Sequence, residues 1–199
     1  MEVLKLSKQP STIPRRLFRA LAIIAAPIAF LISVYGANTG VVDAQEYQIK
    51  AVFLFNFTQF VEWPPEAFPN EKTPFTIGIL GDDPFGTVID ETVQNEVVGH
   101  RPIAIGHFRH VEEIGNCQIL YISRSETERL EEILVALKNR SILTVSDIDG
   151  FSRLGGMIRF VMNKGRIRLT INNGTARSAG LVISSKLLRP SEVISMKGQ

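Results

Sequence analysis

Residues 75–84 read Phe-Thr-Ile-Gly-Ile-Leu-Gly-Asp-Asp-Pro, a short apolar run that stops in a cluster of turn formers. The run predicts a buried strand over Phe75–Leu80, and the Gly81-Asp82-Asp83-Pro84 turn can cap a helix over 84–94. The same alternation continues downstream. Ile103–Phe108 and Gln118–Ile122 read as strands, and Ser125 with Glu128 forms a capping box ahead of Leu130, Ile133, Leu134 and Leu137 on an amphipathic helix. Ile142–Val145 is again a buried-type strand. Strands that are apolar on both faces and separated by helical segments call for a parallel sheet covered on both sides. The fold class is therefore α/β: a three-layer sandwich with a mostly parallel sheet flanked by helices.

The end of the chain has a different period. In residues 157–171, MIRFVMNKGRIRLTI, placing Lys164-Gly165 at a two-residue turn pairs Met162 with Ile167, Phe160 with Leu169 and Ile158 with Ile171. All six apolar residues then fall on one face of an antiparallel hairpin, and Arg159, Arg166, Arg168 and Thr170 fall on the other. A final helix is expected to follow, opened by Asn172 or Asn173 as N-cap and stopped at Pro190. Ala176, Ala179, Val182, Ile183 and Leu187 would form its apolar stripe. Upstream, residues 46–63 place Ile49, Phe53, Phe57, Phe60 and Val61 at helical spacing before Pro64-Pro65. The alternation Ile49, Ala51, Phe53, Phe55, Phe57 also fits a strand. Read as a helix, the segment spreads Phe53, Phe55, Phe57 and Phe60 over more than one face, so it is either deeply enclosed or meets a second chain, and a homodimer is expected.

Residues 1–20 carry Lys5, Lys8, Arg15, Arg16 and Arg19, and 21–35, LAIIAAPIAFLISVY, hold no charge. This is the basic region and apolar core of an export signal, and Val42-Asp43-Ala44 suits cleavage after Ala44. An uncleaved anchor is the rival reading. Arg15-Arg16 resembles a twin-arginine signal, but Pro14 sits where that motif prefers a polar residue, which favours a merely basic leader. Residues 1–44 are thus read as a signal peptide and 45–199 as a single α/β domain, long enough to bury ~70% of its unfolded surface without staples. No membrane span is expected after cleavage. Of 22 Lys+Arg and 20 Asp+Glu, five and two fall in the leader, leaving 17 against 18. The near-neutral remainder removes a global electrostatic case for nucleic-acid binding.

Chemistry-bearing motifs are few. No G-x-S-x-G elbow and no Cys/His pairing at recognisable spacing appears, so no catalytic residue is assigned. His100, His107 and His110 cluster in sequence, but Arg109 puts a cation between the last two. Surface histidines are the plainer reading, and neither a metal nor a cofactor is expected. Gly81, Asp82 and Asp83 form a candidate ligand site at a strand's C-terminal end, against the competing reading of a helix cap. Gly155-Gly156 lacks phosphate-loop spacing and reads as a turn. The lone Cys117 opens an apolar strand as a small hydrophobe, and Trp63 is a core residue in preference to a stacking platform. Arg159, Arg166 and Arg168 form a candidate partner-contact face, or else a charged solvent face that discourages edge pairing.

Taken in order, these segments resemble one family: EYQIKAVFLFNFTQFVEWP from Glu46, GILGDDPFG from Gly78, GHRPI from Gly99, CQILYIS from Cys117, LTVSD, GFSRLGGMIRF, GRIRLTIN and AGLVISSKLL. The set is similar to the YfiR/HmsC-like family of exported bacterial proteins over residues 46–190. The resemblance implies a periplasmic, often dimeric α/β domain that restrains the periplasmic domain of an inner-membrane diguanylate cyclase. It would thereby lower cyclic di-GMP signalling and restrain biofilm formation, without catalysis. Some members carry disulfides, and here only Cys117 occupies such a position, with Gly78, Phe151 and Ile158 near the others. The same domain also serves as a sensing module in larger proteins, so a periplasmic small-molecule sensor is the alternative.

Overall fold

The segment whose period is ambiguous in sequence is settled by which residues go inside. In the computed structural model, which describes residues 44–194, positions 44–60 form a helix, α1. Ala51, Leu54 and Phe57 are fully buried along it, whereas Ile49, which a strand would place beside Ala51, is 51% exposed. The leader and its cleavage site after Ala44 lie almost wholly outside the described residues. Among those residues no helix is long and apolar enough to cross a membrane.

Eight strands form the main sheet: β2 (Phe75–Leu80), β3 (Val97–Val98), β4 (Arg101–Phe108), β5 (Ile119–Ile122), β6 (Leu143–Ser146), β7 (Ile158–Asn163), β8 (Arg166–Asn172) and β10 (Glu192–Ile194). Their spatial order is β10-β8-β7-β6-β5-β2-β4-β3. The five central strands, β7 to β4, run parallel. β8 is antiparallel to β7, β10 parallel to β8 and β3 antiparallel to β4. A second, two-stranded sheet pairs β1 (Val61–Glu62) with β9 (Val182–Ile183).

Strand alternation sorts the core into two layers. Phe75, Ile77, Ile79, Ile119, Tyr121, Leu143 and Val145 pack with α1, α2 (Val88–Val93) and α4 (Asn173–Ser178) on one face. Leu80, Leu120 and Ile122 pack with Leu130 and Ile133 of α3 (Leu130–Ala136) and its C-cap Leu137 on the other. This is the mostly parallel, helix-flanked α/β sandwich that the sequence implies.

Local expectations fail where a side chain or a glycine has another task. α2 begins at Val88, not at residue 84, because Gly86 takes φ +55°, left-handed backbone that a right-handed helix excludes. The capping box at Ser125 and Glu128 does not form: the Ser125 hydroxyl accepts instead from the Asp82 N–H at 2.9 Å, and residues 124–129 make a 3-10 turn ahead of α3. The single terminal helix is also interrupted. α4 is capped by Asn172, whose side chain accepts from the Thr175 N–H, but Gly180 at φ +76° ends the helical run. The chain then makes β9, a short helix α5 (Ser185–Leu188) and β10.

The hairpin has the expected register, Ile158↔Ile171, Phe160↔Leu169 and Met162↔Ile167, with Lys164 and Gly165 both at positive φ in the turn. Phe160 is buried between Phe53 and Phe57, with ring centroids 5.8 and 6.1 Å away. Phe160→Ala removes that filling and should lower the unfolding free energy by about 3–5 kcal/mol. Arg168→Glu on the exposed face should change it by less than ~0.5 kcal/mol. Urea denaturation of the two variants compares them directly.

Candidate functional site

Lys50 is the feature of α1 that apolar burial does not account for: it lies among Ala51, Leu54 and Phe57, and is 1% exposed. Its ammonium bonds the Asp147 carboxylate just beyond β6 and reaches Glu46, one helical turn back, at 2.5 Å. It also sits 4.2 Å from the centroid of the Tyr47 ring, a cation–π position. Arg124, in the 3-10 turn after β5, brings Nε to 3.1 Å from Asp147 Oδ1. Tyr47 Oη donates to Asp147 Oδ2 at 3.4 Å. The Tyr121 hydroxyl is buried without a hydrogen-bond partner among the described residues. Edge-to-face contacts from Tyr47 to Phe85 and from Phe85 to Tyr121 close the apolar side.

The group stands at the C-terminal ends of the parallel strands, where loops between strand and helix leave a crevice. Glu46, Lys50, Arg124, Asp147, Asp149 and Arg159 line a cavity of about 220 Å3 there. Burial pushes the Asp147 carboxyl up, but the Lys50 ammonium and the Arg124 guanidinium outweigh it and hold the group below its ordinary range. Burial works against the Arg124 charge too, and Asp147 more than compensates, raising its pKa. Burial and the neighbouring Asp147 together push the Tyr47 phenol up. The arrangement is an electrostatic clasp, with the Lys50 and Arg124 cations held on one buried carboxylate.

Residues singled out in the sequence occupy other places. Gly81, Asp82 and Asp83 lie beyond β2 and do not line this cavity. Asp83 accepts from the Phe85 N–H at 2.8 Å, in the manner of a cap, and pairs with His107 at 3.1 Å. Gly81, at φ +89°, lies so close to Ser125 and Glu126 that a Cβ would stand 2.3 Å from the Ser125 oxygen. His100, His107 and His110 are exposed and dispersed, and no group of three or more metal-ligating side chains occurs among the described residues. Cys117 is buried and donates to the Ile119 carbonyl at 3.0 Å, and burial pushes its thiol up to about 12. A Cβ at Gly78 would lie 2.9 Å from its sulfur. Trp63 packs edge-on against Phe75 and donates to the Gln118 carbonyl at 3.0 Å.

The three hairpin arginines separate. Arg166 and Arg168 are exposed on β8, whereas the Arg159 side chain is 23% exposed, bonds Asp149 and faces the cavity. Lys50, Asp147 and Arg124 escape sequence reasoning because their partnership is long-range. The one available signal is Lys50 itself, in line with Leu54, Phe57 and Val61 on the buried stripe.

Asp147, with its folded pKa lowered, contributes stability that is present above the unfolded carboxyl value of about 3.9 and is lost as pH falls through the folded value. Asp147→Asn should therefore flatten the acid limb of stability against pH. At neutral pH it should cost roughly 3 kcal/mol, by leaving the Lys50 charge buried with less compensation. Thermal and urea unfolding of both proteins between pH 2 and 7 give the comparison.

The sequence profile of the YfiR/HmsC-like family matches residues 47–192, from α1 to the start of β10. No curated protein matches the chain. Among solved structures, a crystal structure of the ABC domain in complex with L-Trp from Streptococcus pneumonia is similar at a TM-score of 0.49 and 12% identity. The alignment covers 74% of this chain and 60% of that one, so this chain spans about three fifths of that structure's length. The profile match takes in both core layers, the hairpin and all of the clasp except Glu46, and the chain belongs to the YfiR/HmsC-like family of periplasmic regulators.

Proposed function

We propose that the protein is an exported, non-enzymatic repressor that acts by contact on the periplasmic domain of an inner-membrane diguanylate cyclase. The family match over residues 47–192 carries this reading. Export follows from the basic leader and its apolar core, with cleavage after Ala44. Repression needs no chemistry: a regulator that binds the inactive state of the cyclase better than the active one lowers output by its differential affinity. The contact face is the outer surface of the β7–β8 hairpin, where Arg166 and Arg168 are exposed and the apolar partners Phe160, Leu169 and Ile171 are buried behind them. Their charge suits an acidic partner surface. Arg159, engaged with Asp149, supports this face from its edge.

A homodimer is part of the reading, on altered grounds. Phe57 is buried and Phe53, Phe55 and Phe60 pack against the same chain's core, so these rings do not require a second copy. Ile49 and Val52 remain exposed one turn apart on α1 and mark the contact. Sedimentation at high micromolar concentration should show a dimer that Ile49→Glu with Val52→Glu converts to monomer.

A second reading, a ligand-sensing module, is favoured by one observation: Arg159 Nε is buried without a hydrogen-bond partner among the described residues, beside a cavity of about 220 Å3. A thermal-shift panel of small envelope metabolites separates the readings, because a ligand at a hundred times its Kd adds ~2.7 kcal/mol.

Deleting the gene should raise cellular cyclic di-GMP. A copy carrying Arg166→Glu and Arg168→Glu should fail to restore repression, although its melting temperature is nearly that of the wild type. Unchanged cyclic di-GMP after deletion under several growth conditions would sink the cyclase reading. A charge-reversed protein that still represses would move the contact off the hairpin.

A further inference from the structure

The sheet ends on β4 in an unusual way. β3 covers only its first two residues, through Val97↔Pro102 and Val98↔Arg101, and no other described strand lies beyond it. The Gly81 N–H donates to the Phe108 carbonyl at 3.0 Å, so the main chain of Phe108 faces β2, and by alternation so do Ala104 and Gly106. Ile103, Ile105 and His107 consequently turn their N–H and C=O groups away from β2; Ile103 adjoins the end of the β3 pairing, and beyond it Ile105 and His107 face no described strand. A strand pairing with residues 104–107 would run for about 13 Å at the usual rise.

Beside this edge, on the face that carries α2, lies a groove of about 540 Å3. Ile103 and Ile105 form its floor, and Val93 and the 54% exposed Val97 form its walls. Asp90, Glu91 and Glu96, all exposed, stand on its rim, and no Lys, Arg or His lines it. An edge left open in this way is a template for strand addition, with main-chain bonds supplying affinity and alternate side chains supplying specificity.

The charge of the rim selects the occupant. Two copies of this chain joined edge to edge about a twofold axis would bring both α2 helices to one seam and set Asp90, Glu91 and Glu96 against their own kind. We propose that the β4 edge binds an extended, basic segment of a partner protein as an added strand. In the bound state its backbone pairs with Ile105 and His107. Every second side chain, apolar, enters the groove over Ile103 and Ile105, and Lys or Arg residues flank the acidic rim. β4 and β8 lie near opposite ends of the strand order, so this surface is separate from the hairpin and does not depend on the identity of the hairpin's partner.

The test uses the purified full-length protein and a labelled peptide of four Lys-Val repeats, with a Glu-Val peptide of equal length as control. Fluorescence anisotropy should show the basic peptide binding at least about tenfold more tightly than the acidic one, with affinity falling as salt rises. Hydrogen exchange should slow at the amides of Ile105 and His107 when the basic peptide is present. Glu91→Lys with Glu96→Lys should weaken binding by about tenfold or more, and a peptide N-methylated at every second residue on its pairing edge should not bind. Ile105→Pro, which deletes an outward N–H, should abolish binding while leaving the circular dichroism spectrum unchanged. Should that variant unfold, the charge reversal and the N-methylated peptide decide. Equal or absent binding of the two peptides, or binding that leaves those two amides exchanging as before, overturns the proposal. Protection of the same amides that rises with protein concentration in the absence of peptide overturns it as well, in favour of a second copy. Cyclic di-GMP levels enter none of these measurements, so this proposal and the cyclase reading fail separately.

Discussion

One buried ion pair fixes how the first helix meets the sheet. Lys50 and Asp147 lie 97 positions apart in sequence and bond within the core. Removing both charges from water is costly, and the cost is offset here by Glu46, Arg124 and the face of the Tyr47 ring. Such a pair adds little net stability over well-packed apolar residues, but it penalises every other placement of α1. A helix whose stripe is otherwise Ala51, Leu54 and Phe57 could slide or rotate on an apolar sheet, and Lys50 has satisfied chemistry at only one setting. With α1 so placed, Phe53 and Phe57 close over Phe160, and β1 is delivered to β9.

What could be read from the sequence follows from the range of the interactions involved. The hairpin was legible to the residue, because side chains alternate with a period of two and Lys164-Gly165 supplies a turn at positive φ. The parallel core was legible because strands buried on both faces are continuously apolar. α1 remained open between two periods until Ile49 proved exposed. β3 and β10, two and three residues long, are too short to display a period at all. The breaks at Gly86 and Gly180 depend on backbone conformations that a glycine permits but does not announce.

The candidate site was less legible, and the reason differs from residue to residue. Alternation placed Arg159 correctly on the face opposite Phe160, but it carries no information about Asp149, which draws that side chain toward the cavity. Ser125 was read as a helix cap from its neighbours in sequence, whereas its hydroxyl serves the Asp82 amide across the sheet. Asp82 and Asp83 lie at the strand-end position where ligands often bind in α/β folds, yet the polar cavity formed further along the sheet, around a lysine that looked like one more residue of an apolar helix. The two surfaces that remain, cationic at the hairpin and acidic at the β4 edge, sit near opposite ends of one rigid sheet. If both proposals hold, the two partners bind without either having to displace the other.

The pairing of Val61 with Ile183 bears on the order in which the molecule assembles. α1 and β1 are synthesised first, but the residues they require, Asp147, Phe160 and Ile183, come at the end of the chain. Local units such as the β7–β8 hairpin form within microseconds, whereas this closure must wait for a loop spanning most of the domain, and its entropy is lost before any contact repays it. The helix that anchors the native sheet is thus placed by long-range contacts whose loop-closure entropy is lost before they form.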